Sequence, residues 1–222
     1  MRTAAWMAVL LAFAGCESEE EAREGNARWD DVDAQMEAAA AAAKRRSASE
    51  VLPALRRALD AVEDLLKEEW AALLAFEREG WSFFKPNVQV ETVKTGGGVE
   101  TAGAIKGHGG GRRPSDGTTV HVNVNSSPAY LDAQRRIYAD EAKLEGLRRS
   151  RTVETETRDG LLVVRQIYKL RAEALVIGEH TVLSVTVGKE DMALLDEMLG
   201  MVDLALFEGL DASRGRSRER SP

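Results

Sequence analysis

Along this chain the spacing of apolar positions changes after Gly80 from a helical period to an alternating one, which two further helical stretches interrupt or close. From Trp29 the residues Trp29, Val32, Met36, Ala39 and Ala43 recur at spacings of 3, 4, 3 and 4, in a stretch that includes the alanine run Ala38 to Ala43. That is the period of one helix face, and alanine is the strongest helix former. Lys44-Arg45-Arg46 suits a helix C-terminus, where cations meet the negative end of the dipole. Ser47-Ala-Ser-Glu50 reads as a capping box for a second start, and Pro53 is tolerable only in that helix's first turn. Leu52, Leu55, Leu59, Val62, Leu66, Leu73 and Phe76 then mark one stripe, with Trp70 beside it. The pattern predicts two helices, about 28–45 and 49–78, or one long helix kinked near Pro53. Such a stripe is ordinarily the core-facing side of a helix, although an intermolecular coiled coil uses the same spacing.

After Gly80 the period becomes 2. Val88 and Val90 alternate with polar residues; Val120, Val122 and Val124 alternate with Thr119, His121, Asn123 and Asn125; Leu183, Val185 and Val187 repeat the scheme. Alternation of this kind marks strands with one wet and one buried face, as in an antiparallel sheet. Strands are also expected at about 99–106, at Thr152 to Arg158 and Leu161 to Leu170 around the turn signal Asp159-Gly160, and at Ala172 to Ile177. Ser127-Pro128 opens a helix over roughly 128–146 that ends at Gly146, and Met192, Leu195, Leu199, Val202 and Leu206 mark another over about 189–208. The fold class is therefore α+β: an antiparallel sheet covered by helices, preceded by an N-terminal helical hairpin or a kinked long helix.

The ends read differently. Met1-Arg2-Thr3 is followed by apolar residues from Ala4 to Gly15, too few to span a bilayer, which needs roughly 20. A short positive start, an apolar run and small residues make a secretory signal peptide. Cys16 is the single cysteine, so no disulfide explains it in an oxidising compartment. The acidic block from Glu17 has no apolar partner and reads as a solvated tether; Arg214 to Pro222 is polar and reads as a disordered basic tail. The expected organisation is a signal peptide 1–15, a tether 16–27, a helical segment 28–80, an α+β domain 81–210 and a tail 211–222.

Phe13-Ala14-Gly15-Cys16 resembles the lipobox of bacterial lipoproteins, with phenylalanine where leucine is commoner. The resemblance implies cleavage before Cys16, a thioether from its sulfur to diacylglycerol, and three acyl chains on the mature terminus. One chain binds a membrane only marginally, whereas two or more anchor stably. Glu17 in the next position implies, by the same resemblance, an outer-membrane rather than inner-membrane destination. The stretch TVLSVTVGKEDMALLDEMLGMVDLALFEGL at 181–210 resembles the PsbP-like α+β fold and similar envelope lipoproteins, over about residues 82–210 and on element order and apolar pattern. That implies a binding or assembly role rather than catalysis.

Charge narrows the function further. Removing residues 1–15 takes one arginine and no acid, moving the formal charge from −7 to −8, and a negative surface argues against general nucleic-acid binding. His108-Gly109-Gly110-Gly111 matches the oxyanion-hole signature of some esterases, yet the chain has no Gly-x-Ser-x-Gly elbow, so 107–117 reads as a flexible loop. The glycines lack a P-loop ending. Arg112 and Arg113 beside them are a candidate anion or lipid-headgroup contact by charge alone. His108, His121 and His180 share no metal-ligand spacing, so neither a metal nor a cofactor is expected. The expectation is a membrane-anchored envelope lipoprotein with a non-enzymatic binding or interaction role and a protein partner in the envelope. The alternatives are an envelope hydrolase with an unrecognised catalytic set and a self-associating helical scaffold on the 52–76 stripe.

Overall fold

The computed structural model describes residues 19–91, 93–94, 100–101, 104–158 and 160–218. The expected signal segment, the lipobox-like stretch and Cys16 lie outside them. The chain divides into two units, at Leu65/Leu66.

The first unit holds α1 (Glu19–Lys44) and most of α2 (Ala48–Leu74). Of the two arrangements the sequence allows, the structure has the hairpin. At its corner Arg46 takes φ 56°, the Ser47 N–H donates to the Ala42 carbonyl (3.0 Å) and the Arg46 N–H to that of Ala43 (2.9 Å). This pair of bonds, closed by a residue in the left-handed region, ends a helix by satisfying its last carbonyls. Ser47 then accepts, through its own carbonyl, the first amides of α2. Pro53 is the sixth residue of α2, beyond the first turn where it was expected to be tolerable, and the helix continues through it. α1 begins at Glu19, inside the stretch expected to be a tether.

Within this unit the buried residues are small: Val32, Ala39 and Ala42 on α1, Ala54, Ala58 and Leu65 on α2. The leucine stripe behaves otherwise. Leu52, Leu55 and Leu59 are 69%, 41% and 51% exposed, which corrects the reading of this part of the stripe as core-facing. At 100° per residue the buried alanines lie about 100° around α2 from the leucines, so only one of the two faces is covered.

The second unit is a seven-stranded, wholly antiparallel open sheet in the order β1-β4-β5-β9-β8-β7-β6. Its strands are β1 (Ser82–Val90), β4 (Ile105–Arg112), β5 (Thr119–Asn125), β6 (Thr152–Arg158), β7 (Leu161–Tyr168), β8 (Arg171–Ile177) and β9 (Val182–Val187). Two short strands, β2 (Val93–Lys94) and β3 (Glu100–Thr101), pair with each other. Val120, Val122 and Val124 of β5 and Leu183, Val185 and Val187 of β9 all point to one face, as their alternation predicts. On that face the last turns of α2 supply Trp70, Leu73 and Leu74, α5 (Met192–Gly200) supplies Leu194, Leu195, Met198 and Leu199, and α6 (Leu204–Arg218) supplies Phe207 and Leu210. Trp70 and Phe207 meet edge to face at 6.4 Å, and fully burying each such ring is worth on the order of 3 kcal/mol. Because these α2 residues belong to the sheet core, the unit boundary falls inside α2 instead of near residue 80.

Both long helices expected in this unit are broken in two by an aspartate. The first becomes α3 (Pro128–Tyr138) and α4 (Glu141–Arg148), with Asp140 accepting from the Ala142 and Lys143 amides. The second breaks before Leu204, where Asp203 accepts from the Leu206 N–H (2.9 Å). α6 then continues to Arg218, which corrects the expectation of disorder from residue 211. The stretch 107–117 is corrected too. Residues 107–112 are not a loop but most of β4, hydrogen-bonded to β1 on one side and β5 on the other.

Candidate functional site

The two faces of the sheet are covered unequally, and that difference creates the site. The second face is capped only over β6, β7, β8 and the start of β9, where Leu131 and Tyr138 of α3 and Leu144 of α4 pack on Val153, Val164, Leu175, Ile177 and Val182. Over β1, β4, β5 and β9 the same face carries polar residues in register. One row across four strands reads Asn87, His108, Asn123, Ser184. The next reads Gly110, His121, Thr186, Glu173, Gln166. Directly opposed residues in an antiparallel pair sit about 4.5–5.5 Å apart, so each row is a continuous strip of donors and acceptors. With Tyr130 of α3 as a wall, the first row together with Thr186 and Glu173 of the second lines an open groove of about 550 Å³.

The polar groups hold one another in place. The His108 Nδ1–H donates to Asn123 Oδ1 (2.7 Å), and Asn123 Nδ2 donates to Ser184 Oγ (3.5 Å). His108 and His121 stack with ring centroids 5.5 Å apart and planes 25° from parallel. Burial and then the neighbouring His108 hold His121 below the ordinary histidine range, which favours the neutral ring. Asn123 lies two residues after His121 in sequence and opposite His108 in the sheet, so the amide orients the His108 tautomer.

At the covered end of the groove stand all three tyrosines of the chain, gathered around Glu173. The Tyr138 hydroxyl donates to Gln166 Oε1 (3.2 Å), and Gln166 Nε2 donates to Glu173 Oε2 (2.8 Å). Gln166 is fully buried, and this chain of bonds satisfies it. Arg151 and Arg171 sit over the Tyr168 ring at 4.5 and 4.6 Å. Burial and then Glu173 push the Tyr168 hydroxyl up to about 12, so it stays a neutral donor at physiological pH. The groove therefore offers amides, hydroxyls and an imidazole, with Lys106, Arg171 and Glu173 as its charged groups, a surface suited to a polar ligand.

The residues singled out by sequence are placed as follows. Cys16 lies outside the described residues. Arg113 makes a two-pronged pair with Asp116 (3.0 and 2.7 Å) and lies 5.4 Å over the Trp81 ring, while Lys189 also reaches Asp116 (2.5 Å). Arg112 remains exposed at the end of β4, so the two arginines are divided between a structural ion pair and solvent. His108 and His121 come together; His180 lies at the β8–β9 turn, where its N–H donates to Asp211. Sequence reading missed the groove because nothing in the alternation of β5 or β9 says which of the two sheet faces a helix will cover. The one available signal was the choice of amides and histidines, rather than charges, at the wet positions of β5.

Among the described residues no group of three or more His, Cys, Asp or Glu side chains is placed to hold a metal ion, and no helix is long and apolar enough to cross a membrane. No family model, curated protein or solved structure matches this chain. The amides of Gly109 to Gly111 belong to the β1–β4–β5 ladder, so they do not converge on an oxyanion position.

Proposed function

We propose that this chain is an envelope lipoprotein, anchored through acylated Cys16 in the outer rather than the inner membrane, whose role is to bind a partner on the open half of the sheet. The observation that supports the binding surface is the four-strand row Asn87, His108, Asn123, Ser184, left uncovered on a sheet whose other face carries the main core. Within this row His108, Asn123 and Ser184 are mutually hydrogen-bonded, which limits their conformational freedom and lowers the free energy lost on ordering a ligand.

Two measurements test the proposal. A photo-crosslinking residue introduced at Asn87 or Thr186 in the native host is expected to trap a defined adduct, while the same residue at Leu170, 81% exposed on the β7–β8 turn, traps none. Equal labelling at all three positions, or none at the groove, refutes the binding surface. The intact mass of the host-made protein tests the anchor separately: a chain starting at Cys16 with three acyl groups is expected, and an unmodified thiol or a retained leader refutes it.

A further inference from the structure

We propose that the exposed leucine face of α2 is the contact between two antiparallel copies of this chain. The face is regular. Leu52, Leu55, Leu59, Val62 and Leu66 follow one another at spacings of 3, 4, 3 and 4, and at 100° per residue they fall within an arc of about 80°. This is the spacing at which one helix packs along another in a shallow supercoil. On the same helix the stripe is buried at Leu73, inside the sheet core, but Leu52, Leu55 and Leu59 are left 69%, 41% and 51% exposed. Met36 of α1, 49% exposed, adds to the apolar surface of that unit. A run of large apolar side chains on this scale marks an interaction site.

The charges beside the stripe select the occupant. Arg56 follows Leu55 and Glu63 follows Val62, so each flanks the same edge of the leucine face one heptad apart. In an antiparallel pairing Leu55 packs on Leu66 of the second copy and Leu59 on Val62 of the second copy. That register sets Arg56 against Glu63 of the second copy, twice by symmetry. Sliding the helices to pair Leu55 with Leu59 instead brings the two Arg56 side chains together, which is repulsive. The helix is thus complementary to its own reverse, the condition for a two-fold contact in which the same patch serves both subunits. A lipid surface or an unrelated protein would have no use for this matching of residues 56 and 63.

The full chain, as its host processes it, is to be examined by sedimentation equilibrium in density-matched detergent. A dimer is expected for the unaltered protein. Leu59→Glu, at an exposed position that leaves the fold intact by circular dichroism, is expected to raise the dissociation constant about tenfold or more. Arg56→Glu and Glu63→Arg should each weaken the homodimer by several-fold, and an equimolar mixture of the two should restore it, because each then meets the opposite charge. A monomeric unaltered protein overturns the proposal, and so does a stripe that binds phosphatidylglycerol vesicles while the chain stays monomeric. A dimer indifferent to both charge reversals overturns it as well.

Discussion

Gly109 shows how one residue can be misread for good local reasons. Glycine is depleted in strands, so a run of glycines reads as a loop. In β4 these glycines are required by what lies against them. A Cβ on Gly109 would stand 2.5 Å from the Leu74 carbonyl oxygen, because the end of α2 lies directly on the strand there. Gly110, at φ 151°, takes a conformation that side chains rarely adopt. Glycine inside a strand commonly marks such a close backbone approach. Gly109→Ala is therefore expected to destabilise the sheet unit by about 1–3 kcal/mol, as overpacking does. At about 2–4 °C per kcal/mol for a chain of this size, thermal unfolding followed by circular dichroism resolves the loss, and an unchanged midpoint contradicts it. The neighbouring polar positions were more legible: the wet side of His121, Asn123 and Asn125 follows from alternation with Val120, Val122 and Val124 alone.

Among the elements, strand identity and order of type were legible, while helix ends were not. β5 through β9 sit within a residue or two of their expected bounds, since period 2 leaves little freedom once one face is buried. The helices were predicted too long because apolar spacing carries across a break that an aspartate makes. Asp140 and Asp203 are such breaks, each accepting backbone amides that would otherwise lack partners. α6 shows the opposite error. Its Asp211, assigned by composition to a tail, is buried, and its carboxylate accepts from the Glu179 N–H (2.6 Å) and the His180 N–H (2.9 Å) in the β8–β9 turn. These contacts hold the middle of α6 to the β8–β9 turn. Asp211→Ala leaves both amides without an acceptor and is expected to lower stability by about 1–3 kcal/mol, measured by urea denaturation. Asp211→Asn, which keeps an acceptor, is expected to lose less; equal losses from the two variants would sink this account.

At the level of the whole molecule, stability against acid depends on a staple between elements. Hydrogen bonds from Arg113 first, and then from Lys189 and the Thr118 N–H, hold the Asp116 carboxyl well below the usual carboxylate range. A carboxyl with a depressed folded-state value contributes stability that is present above about pH 4, the unfolded value, and is lost as pH falls through the folded one. The midpoint of thermal unfolding should therefore fall below pH 4, and Asp116→Asn should be both less stable at neutral pH and flatter in that acid window. A variant with the slope of the unaltered protein refutes the assignment. The amino-acid order alone was enough for the α+β class and the antiparallel strands, because periodicity and turn chemistry act over a few residues, whereas the choice between a helical hairpin and one kinked helix was left to the structure. Which side of each element is covered depends on neighbours distant in the chain. Leu52, Leu55 and Leu59 of α2 and the valines of β9 look equally ready for a core, yet only packing leaves the first outside the chain's own core and seals the second. Likewise the amides of Asn87 and Asn123 became a groove because α3 and α4 lie over one half of the sheet and leave the other bare.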